Sequence, residues 1–155
     1  MDFIKGEIFA VDKPYGMSSF GALAHIRYLL SHYLKHKVKI GHAGTLDPLA
    51  TGVLILCTGG ATKKIESLQY HTKEYIAGLQ LGATTASYDC EHTVNHTFPT
   101  RHITRELILE TLKQFVGDIE QVPPTYSAVK VAGERSYALR RAGEDVKLKP
   151  KNIHI

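Results

Sequence analysis

Residues 41–52, with the sequence GHAGTLDPLATG, constrain the fold of this chain more than any other segment. The apolar run VLIL follows directly and is typical of a buried strand. The glycines and the Asp-Pro pair before this run predict a tightly turned loop. The loop contains an imidazole, a hydroxyl and a carboxylate, from His42, Thr45 and Asp47. A loop that is braced by a rigid strand is a common position for functional residues, so this segment is the first candidate for a site.

Spacing alone leaves several interpretations of Asp47 open. One is a functional carboxylate, and another is a surface turn in which the aspartate caps neighbouring backbone groups. A third interpretation pairs Asp47 with Glu74 or Asp89 as the two carboxylates of a glycosidase.

Composition favours a single globular domain with a basic surface. A chain of 155 residues is long enough for one hydrophobic core and short for two. Its 43% hydrophobic and 22% charged residues are ordinary for a folded protein. The net charge of +4 fits a polyanionic partner without requiring one.

The cysteines and histidines predict a reduced protein without a structural metal. Cys57 and Cys90 are far apart in sequence, and neither belongs to a zinc-type spacing. His32 and His36 share a helical face, but such pairs are common on exposed helices, and we expect no metal there. We expect no membrane span and no signal peptide, so the predicted location is the cytoplasm.

Hydrophobic periodicity predicts a mixture of strands and helices. The predicted strands are residues 6–12, 53–57, 73–82 and 126–132, with a further one beginning at 152–155 and an exposed connection at 86–102 that has room for another. The predicted helices run from Ser18 or Ser19 to about Lys35, near residues 61–68, and from a Thr104 cap to a stop at Gly117. Because these elements do not alternate strictly, we predict an α+β domain with a mixed, mostly antiparallel sheet and flanking helices.

Four segments together resemble one known family. GHAGTLDPLATGVLILCTGGATK, at residues 41–63, resembles the signature of the TruB family of tRNA pseudouridine synthases. Three further segments resemble motifs of that family in the same order: VDKPYGMSS at 11–19, TKEYIAGLQLGATTASYD at 72–89 and QVPPTYSAVKVAGERSYALRRAG at 121–143. The last of these is most similar to the stand-alone bacterial enzymes. The chain is therefore identified as a member of this family, corresponding to the N-terminal part of its catalytic domain.

The resemblance implies an isomerase with a pseudouridine-synthase-like fold. The implied reaction converts a uridine in the T-loop of tRNA to pseudouridine, with Asp47 as the nucleophile and the base flipped out of the loop. Tyr75 is implied to pack against the extracted base, and His42 to lie where the base leaves the RNA. The reaction needs no cofactor and no metal. Whether Asp47 attacks the sugar or removes the C2′ proton stays open.

The resemblance also implies tRNA, bound through its T-arm, as the partner of a monomer with no protein partner. Residues 121–151 resemble the segment that leads into the mobile RNA-binding thumb of the family. Any single basic residue is often only a solvated surface group, but as a set the following are candidates for RNA contacts: Lys13, Lys35, Lys37, Lys39, Lys130, Arg135, Arg140 and Arg141.

The family pattern continues beyond the last residue of this chain. In the family the later part of the catalytic domain supplies an arginine that pairs with the catalytic aspartate, and many members add a C-terminal RNA-binding domain. The resemblance therefore implies that residues 1–155 are a partial catalytic domain without that C-terminal domain. Lys13 and Lys130 are candidates for a substitute counter-charge. The alternative function is a module that binds or folds tRNA without catalysis.

Overall fold

The computed structural model describes residues 1–127 and 129–155, except for the side chains of Lys130, Arg135, Tyr137 and Arg141. The chain forms two compact units, Met1–Ile76 and Ala77–Ile155, which are described separately here. Within the described residues, none of the helices combines the length and the apolar character needed to cross a membrane.

The first unit is built on a three-stranded antiparallel sheet. Its strands are β1 (Ile8–Lys13), β2 (Ile40–His42) and β3 (Gly52–Thr58), in the order β1-β3-β2. Lys13 pairs with Gly52 at the beginning of β3, whereas His42 pairs with Leu56 near its end. The loop at residues 43–51 therefore leaves the sheet beside the second half of β3 and returns where that strand begins.

Helix α1 (Ser19–Tyr33) packs on this sheet and closes the core. The Ser18 hydroxyl caps it by accepting a hydrogen bond from the Gly21 N–H at 3.0 Å, as the sequence predicts. The core consists of buried residues from α1 and β3, with further apolar side chains packed against them: Ala22, Leu23, Leu54, Leu56, Phe9, Val11, Ile26 and Ile40. Burying a leucine side chain contributes about 1.5–3 kcal/mol, so β3 is the main anchor of this unit.

The rest of the first unit confirms one prediction and contradicts another. A 3₁₀ helix (Gly59–Lys64) and helix α2 (Ile65–Gln69) cover the helix predicted near residues 61–68. The strand predicted at 73–82 is wrong, since residues 73–80 have no helical or strand structure. Their period-two pattern has no paired neighbour, and Ile76 is fully exposed. An apolar alternation becomes a strand only where another strand accepts its hydrogen bonds.

The second unit contains small two-stranded pairings and two short helices. Strand β4 (Ala83–Thr85) pairs with β5 (Val94–Thr97), β6 (Asp118–Gln121) with β9 (Lys151–His154), and β7 (Lys130–Val131) with β8 (Glu134–Arg135), all antiparallel. Helix α3 (Arg105–Leu112) continues into a 3₁₀ turn (Lys113–Phe115), and α4 is Ser136–Arg141.

The predictions for this unit are mostly confirmed. Thr104 caps α3 through its hydroxyl, the connection at 86–102 contains β5, and the strand begun at 152–155 exists. Within the strand predicted at 126–132, of which residue 128 lies outside the described residues, the structure has a strand at Lys130–Val131. The described residues combine helices with strand pairs that are all antiparallel, which confirms the α+β class, but the strands form four small sheets instead of one.

Candidate active site

The loop at residues 43–51 turns at Asp47. The Ala50 N–H donates to the Asp47 carbonyl at 3.0 Å, which closes a four-residue turn with Pro48 in its second position. Proline suits that position because its ring fixes φ near the value that the turn needs. Gly44 and Gly52, with φ of 118° and 122°, flank the turn in a conformation that favours glycine. The Asp47 side chain is exposed at this turn.

Ser19 fixes the residue that precedes Asp47. Its hydroxyl donates to the Leu46 carbonyl at 2.9 Å and accepts from the Leu46 N–H at 2.8 Å. Ser19 is the first residue of α1 and is only 2% exposed. A single side chain therefore satisfies both backbone groups of Leu46 and ties the loop to the start of the helix.

Lys13 fixes the residue that follows Asp47. Its Nζ donates to the carbonyls of Pro14 at 3.0 Å, Met17 at 2.6 Å and Pro48 at 3.3 Å. The Pro48 carbonyl also accepts from the Gly16 N–H at 2.8 Å. The turn that follows β1 thus packs against the loop of Asp47.

Lys13 is fully buried, and this position does not fit the predicted contact with an RNA phosphate. A buried ammonium is costly unless its donors are paired, and here three carbonyls accept from it. Lys13 also does not form an ion pair with Asp47. Within residues 1–76, no cation lies at salt-bridge distance from the Asp47 carboxylate.

His42 is bound to the same loop. Its Nδ1 forms a short hydrogen bond with the Gly44 carbonyl, and the ring is half-buried. Because a carbonyl only accepts, Nδ1 holds the proton in this contact. His42 and Asp47 therefore belong to one hydrogen-bonded loop.

Tyr75 is placed differently from the loop residues. Its side chain is 68% exposed and belongs to the segment that follows α2 without regular structure. In residues 1–76, no ring contact or hydrogen bond joins Tyr75 to His42 or Asp47. Of the three predicted site residues, His42 and Asp47 thus lie on or at the edge of one loop, whereas Tyr75 lies outside it.

The basic run before β2 is exposed around a buried anchor. Val38 is 2% exposed, and its N–H donates to the Ser31 hydroxyl at 3.1 Å, while Lys35, Lys37 and Lys39 are exposed. The Lys39 carbonyl accepts from the Gly59 N–H at 2.9 Å, at the start of the 3₁₀ helix.

That contact places the 3₁₀ helix next to the basic run. Its last two residues, Lys63 and Lys64, are exposed lysines that the sequence analysis missed. The signal available in the sequence was a lysine pair two residues after a glycine pair.

Of the basic residues in the second unit, the structure describes only the Arg140 side chain among those predicted to bind RNA. Its Nη1 group donates to the Glu144 carbonyl at 3.2 Å and to Asp145 Oδ1 at 3.4 Å. Its Cζ lies 5.9 Å from the centroid of the Tyr126 ring. Arg140 is thus engaged by other residues of the segment 121–151, which we call the basic arm. The side chains of the other three lie outside the described residues: Lys130, Arg135 and Arg141.

Comparison with known proteins identifies the family. A family model described as TruB family pseudouridylate synthase (N terminal domain) matches residues 31–155. The tRNA pseudouridine synthase B of Bacteroides fragilis is 59% identical over this whole chain and 67% of its own length. That of Bacteroides thetaiotaomicron is also 59% identical over the whole chain, with 65% of its own length covered. This chain thus spans about two thirds of the length of these relatives.

Among solved structures, a chain titled as part of a Cbf5-Nop10-Gar1 complex is similar over 83% of this chain and 32% of its own length, with 27% identity and a TM-score of 0.49. The family prediction is confirmed by the family model and by the curated relatives. The chain belongs to the TruB family of pseudouridylate synthases.

Proposed function

We propose that this chain isomerises a uridine in the T-loop of tRNA to pseudouridine, with Asp47 as the nucleophile. Family membership and relatives named tRNA pseudouridine synthase B support an isomerase that acts on tRNA. One structural observation carries the assignment to Asp47. Its exposed carboxylate projects from a turn whose neighbouring residues, on both sides, are hydrogen-bonded to buried side chains.

The reaction rearranges bonds without net oxidation or hydrolysis. The bond from uracil N1 to the ribose C1′ breaks, the base turns, and a bond from C5 to C1′ forms. The C5 proton leaves to solvent and N1 takes up a proton. Asp47 assists either by attacking the sugar or by removing the C2′ proton, and both roles need a carboxylate held in a fixed position next to the substrate. The anchors on Leu46 and Pro48 provide that position.

The target base must leave the stack of the RNA loop before it reacts. Unstacking costs a few kcal/mol, which contacts in the enzyme offset. Tyr75 is exposed and is therefore available to stack on the extracted base, a contact worth about 1–3 kcal/mol. His42, bound to the loop through Gly44, is proposed to line the space that the base leaves.

Binding of the RNA backbone is proposed to use the exposed basic run. Lys35, Lys37 and Lys39 form no salt bridge with any carboxylate in residues 1–76, so their ammonium groups are available for phosphates. We add Lys63 and Lys64 to this surface because the Gly59–Lys39 contact holds their helix beside it. Four basic residues of the segment 121–151 are also proposed to contact the RNA backbone: Lys130, Arg135, Arg140 and Arg141.

A second candidate function is a tRNA-binding module without catalysis. The observation that favours it is the absence, in residues 1–76, of any ion pair at Asp47. A carboxylate without a basic partner is less firmly oriented toward its target. Under this alternative the chain binds tRNA, and the isomerisation step fails. A cytoplasmic location and a monomeric state remain predictions under both candidates.

Separate measurements of binding and chemistry distinguish the two candidates. The wild-type chain, Asp47→Asn and the control Asp12→Asn are compared by gel shift with a tRNA transcript and by release of tritium from uracil C5. Asp12 is an exposed strand residue, so its substitution matches the charge change at another position. Release that vanishes only in Asp47→Asn, with binding retained, supports the proposed enzyme. Binding without release in the wild type supports the module. The absence of both binding and release would contradict both candidate functions.

A further inference from the structure

One long segment of the first unit contains no acidic residue. No Asp or Glu occurs from Lys13 through Leu46, whereas the same segment contains five Lys or Arg: Lys13, Arg27, Lys35, Lys37 and Lys39. Helix α1 occupies the middle of this segment. Lys13 is buried, but the other four cations are exposed, and an exposed stretch with cations and no carboxylate of its own attracts polyanions.

The helix buries one side and exposes the other. Ser19, Ala22 and Leu23 are buried against the unit. Four of the exposed residues of this helix form what we call the outer face of α1: Phe20, Arg27, Tyr28 and His32. Phe20 and Tyr28 are 63% and 67% exposed, although aromatic rings usually contribute to cores or to binding surfaces.

The side chains of the outer face are paired with one another. The Cζ atom of Arg27 lies 6.0 Å from the centroid of the Phe20 ring. The rings of Tyr28 and His32 are stacked, with centroids 6.1 Å apart and an angle of 19° between their planes. Flat rings beside cations are the combination with which proteins bind unpaired nucleotides, because bases stack on the rings and phosphates meet the cations.

Helix α1 connects the candidate active site with the basic run. At its first residue, α1 is tied to the loop of Asp47 through Ser19 and Leu46. Near its end, the Ser31 hydroxyl accepts from the Val38 N–H, inside the run of exposed lysines. A helix of this length extends about 22 Å, the span of several nucleotides.

We propose that the outer face of α1 binds the RNA substrate outside the reacting loop. Tyr28 and His32 form a platform on which one unpaired base stacks, and Arg27 contacts a phosphate beside it. The RNA strand then continues to Lys35, Lys37 and Lys39, which follow the C-terminal end of the helix. This inference rests on the proposed function, because it takes tRNA as the substrate, and it adds a second contact surface to the loop of Asp47.

Two variants test the face against a control on the same helix. Tyr28→Ala removes the platform and Arg27→Gln removes the charge. Tyr33→Ala is the control because Tyr33 is 84% exposed and lies about 140° around the helix from Tyr28. The dissociation constant for an unmodified tRNA transcript is measured by gel shift over a series of salt concentrations, and circular dichroism verifies the fold of each variant.

The expected results differ for each variant. Tyr28→Ala weakens binding about tenfold at every salt concentration, as expected for one lost stacking contact. Arg27→Gln lowers the salt slope by about one, because one phosphate contact is lost. Tyr33→Ala binds as the wild type does. Equal affinities for Tyr28→Ala and the wild type, with tritium release intact, would overturn the inference and leave the proposed function in place.

Two further outcomes also overturn it. Failure of the wild-type chain to bind the transcript removes the proposed function together with the outer face as an RNA surface. Binding to phosphatidylserine vesicles that Tyr28→Ala abolishes, with RNA binding unchanged, assigns the face to a membrane surface instead. Loss of affinity in Tyr28→Ala, but not in Tyr33→Ala, supports the RNA assignment.

Discussion

Replacement of Ser19 by alanine tests how the loop of Asp47 is held. The Ser19 hydroxyl is the hydrogen-bond partner of both the N–H and the carbonyl of Leu46, at 2.8 Å and 2.9 Å. A buried backbone group that loses its partner costs about 1–3 kcal/mol. Leu46 is half-buried and water reaches it in part, so we take the lower end of this range, about 1 kcal/mol, for each group. The two groups together then cost about 2 kcal/mol.

A smaller effect opposes this loss. Alanine favours a helix over serine by about 0.5 kcal/mol, so the net loss in the free energy of unfolding is about 1.5 kcal/mol. For a chain of this size the melting temperature falls by about 3–6 °C. The rate of isomerisation falls as well, since the turn at Asp47 loses one of its two anchors.

Urea unfolding and tritium release are measured on the same preparations of Ser19→Ala. Ser67→Ala serves as the control because the Ser67 hydroxyl also donates to a backbone carbonyl, at 2.8 Å, but at an exposed position. The control is expected to change stability by less than about 0.5 kcal/mol. Stability of Ser19→Ala equal to that of the wild type would refute the reasoning. A loss of stability without a loss of rate would show that the anchor does not position the carboxylate.

Two further predictions concern buried groups of the first unit. Lys13→Met is expected to lower the free energy of unfolding by about 3 kcal/mol, because three carbonyls lose a charged donor, while the salt slope of tRNA binding stays unchanged. A reduced slope with unchanged stability would instead make Lys13 a phosphate contact. Burial raises the pKa of the Cys57 thiol, whereas Cys90 is exposed. A thiol reagent at neutral pH is therefore expected to modify only Cys90 in the folded chain and both cysteines in denaturant. Rapid modification of both cysteines in the folded chain would contradict the burial of Cys57. Because the Cys57 thiol ionises more readily in the unfolded chain, the free energy of unfolding is also expected to fall as the pH rises above the thiol pKa of the unfolded chain.

The parts of the fold that local sequence determines were predictable. The two candidate caps, Ser18 and Ser19, and the apolar positions of α1 predicted a helix that the structure places at Ser19–Tyr33, with Ser18 as its cap. The apolar run after residue 52 fixed β3, and the glycines with the Asp-Pro pair fixed the loop before it. In each case the residues that determine the element are close together in sequence, so the element is predictable without knowledge of distant contacts.

The features that depend on distant partners were not predictable. Residues 73–82 alternate like a strand, but residues 73–80 form no strand in the structure. Lys13 was predicted to contact RNA or to neutralise Asp47, yet the turn after β1 folds back and encloses its ammonium group, which is unusual for lysine. The hydroxyl of Ser19 on Leu46 joins residues 27 positions apart, which no local pattern indicates.

The position of the product in tRNA tests the central claim most directly. An unmodified tRNA transcript is incubated with the wild-type chain or with Asp47→Asn, and pseudouridine is mapped along it by chemical modification and primer extension. We expect pseudouridine at one uridine of the T-loop with the wild type and none with Asp47→Asn. Pseudouridine outside the T-loop, or the same product with Asp47→Asn, would contradict it.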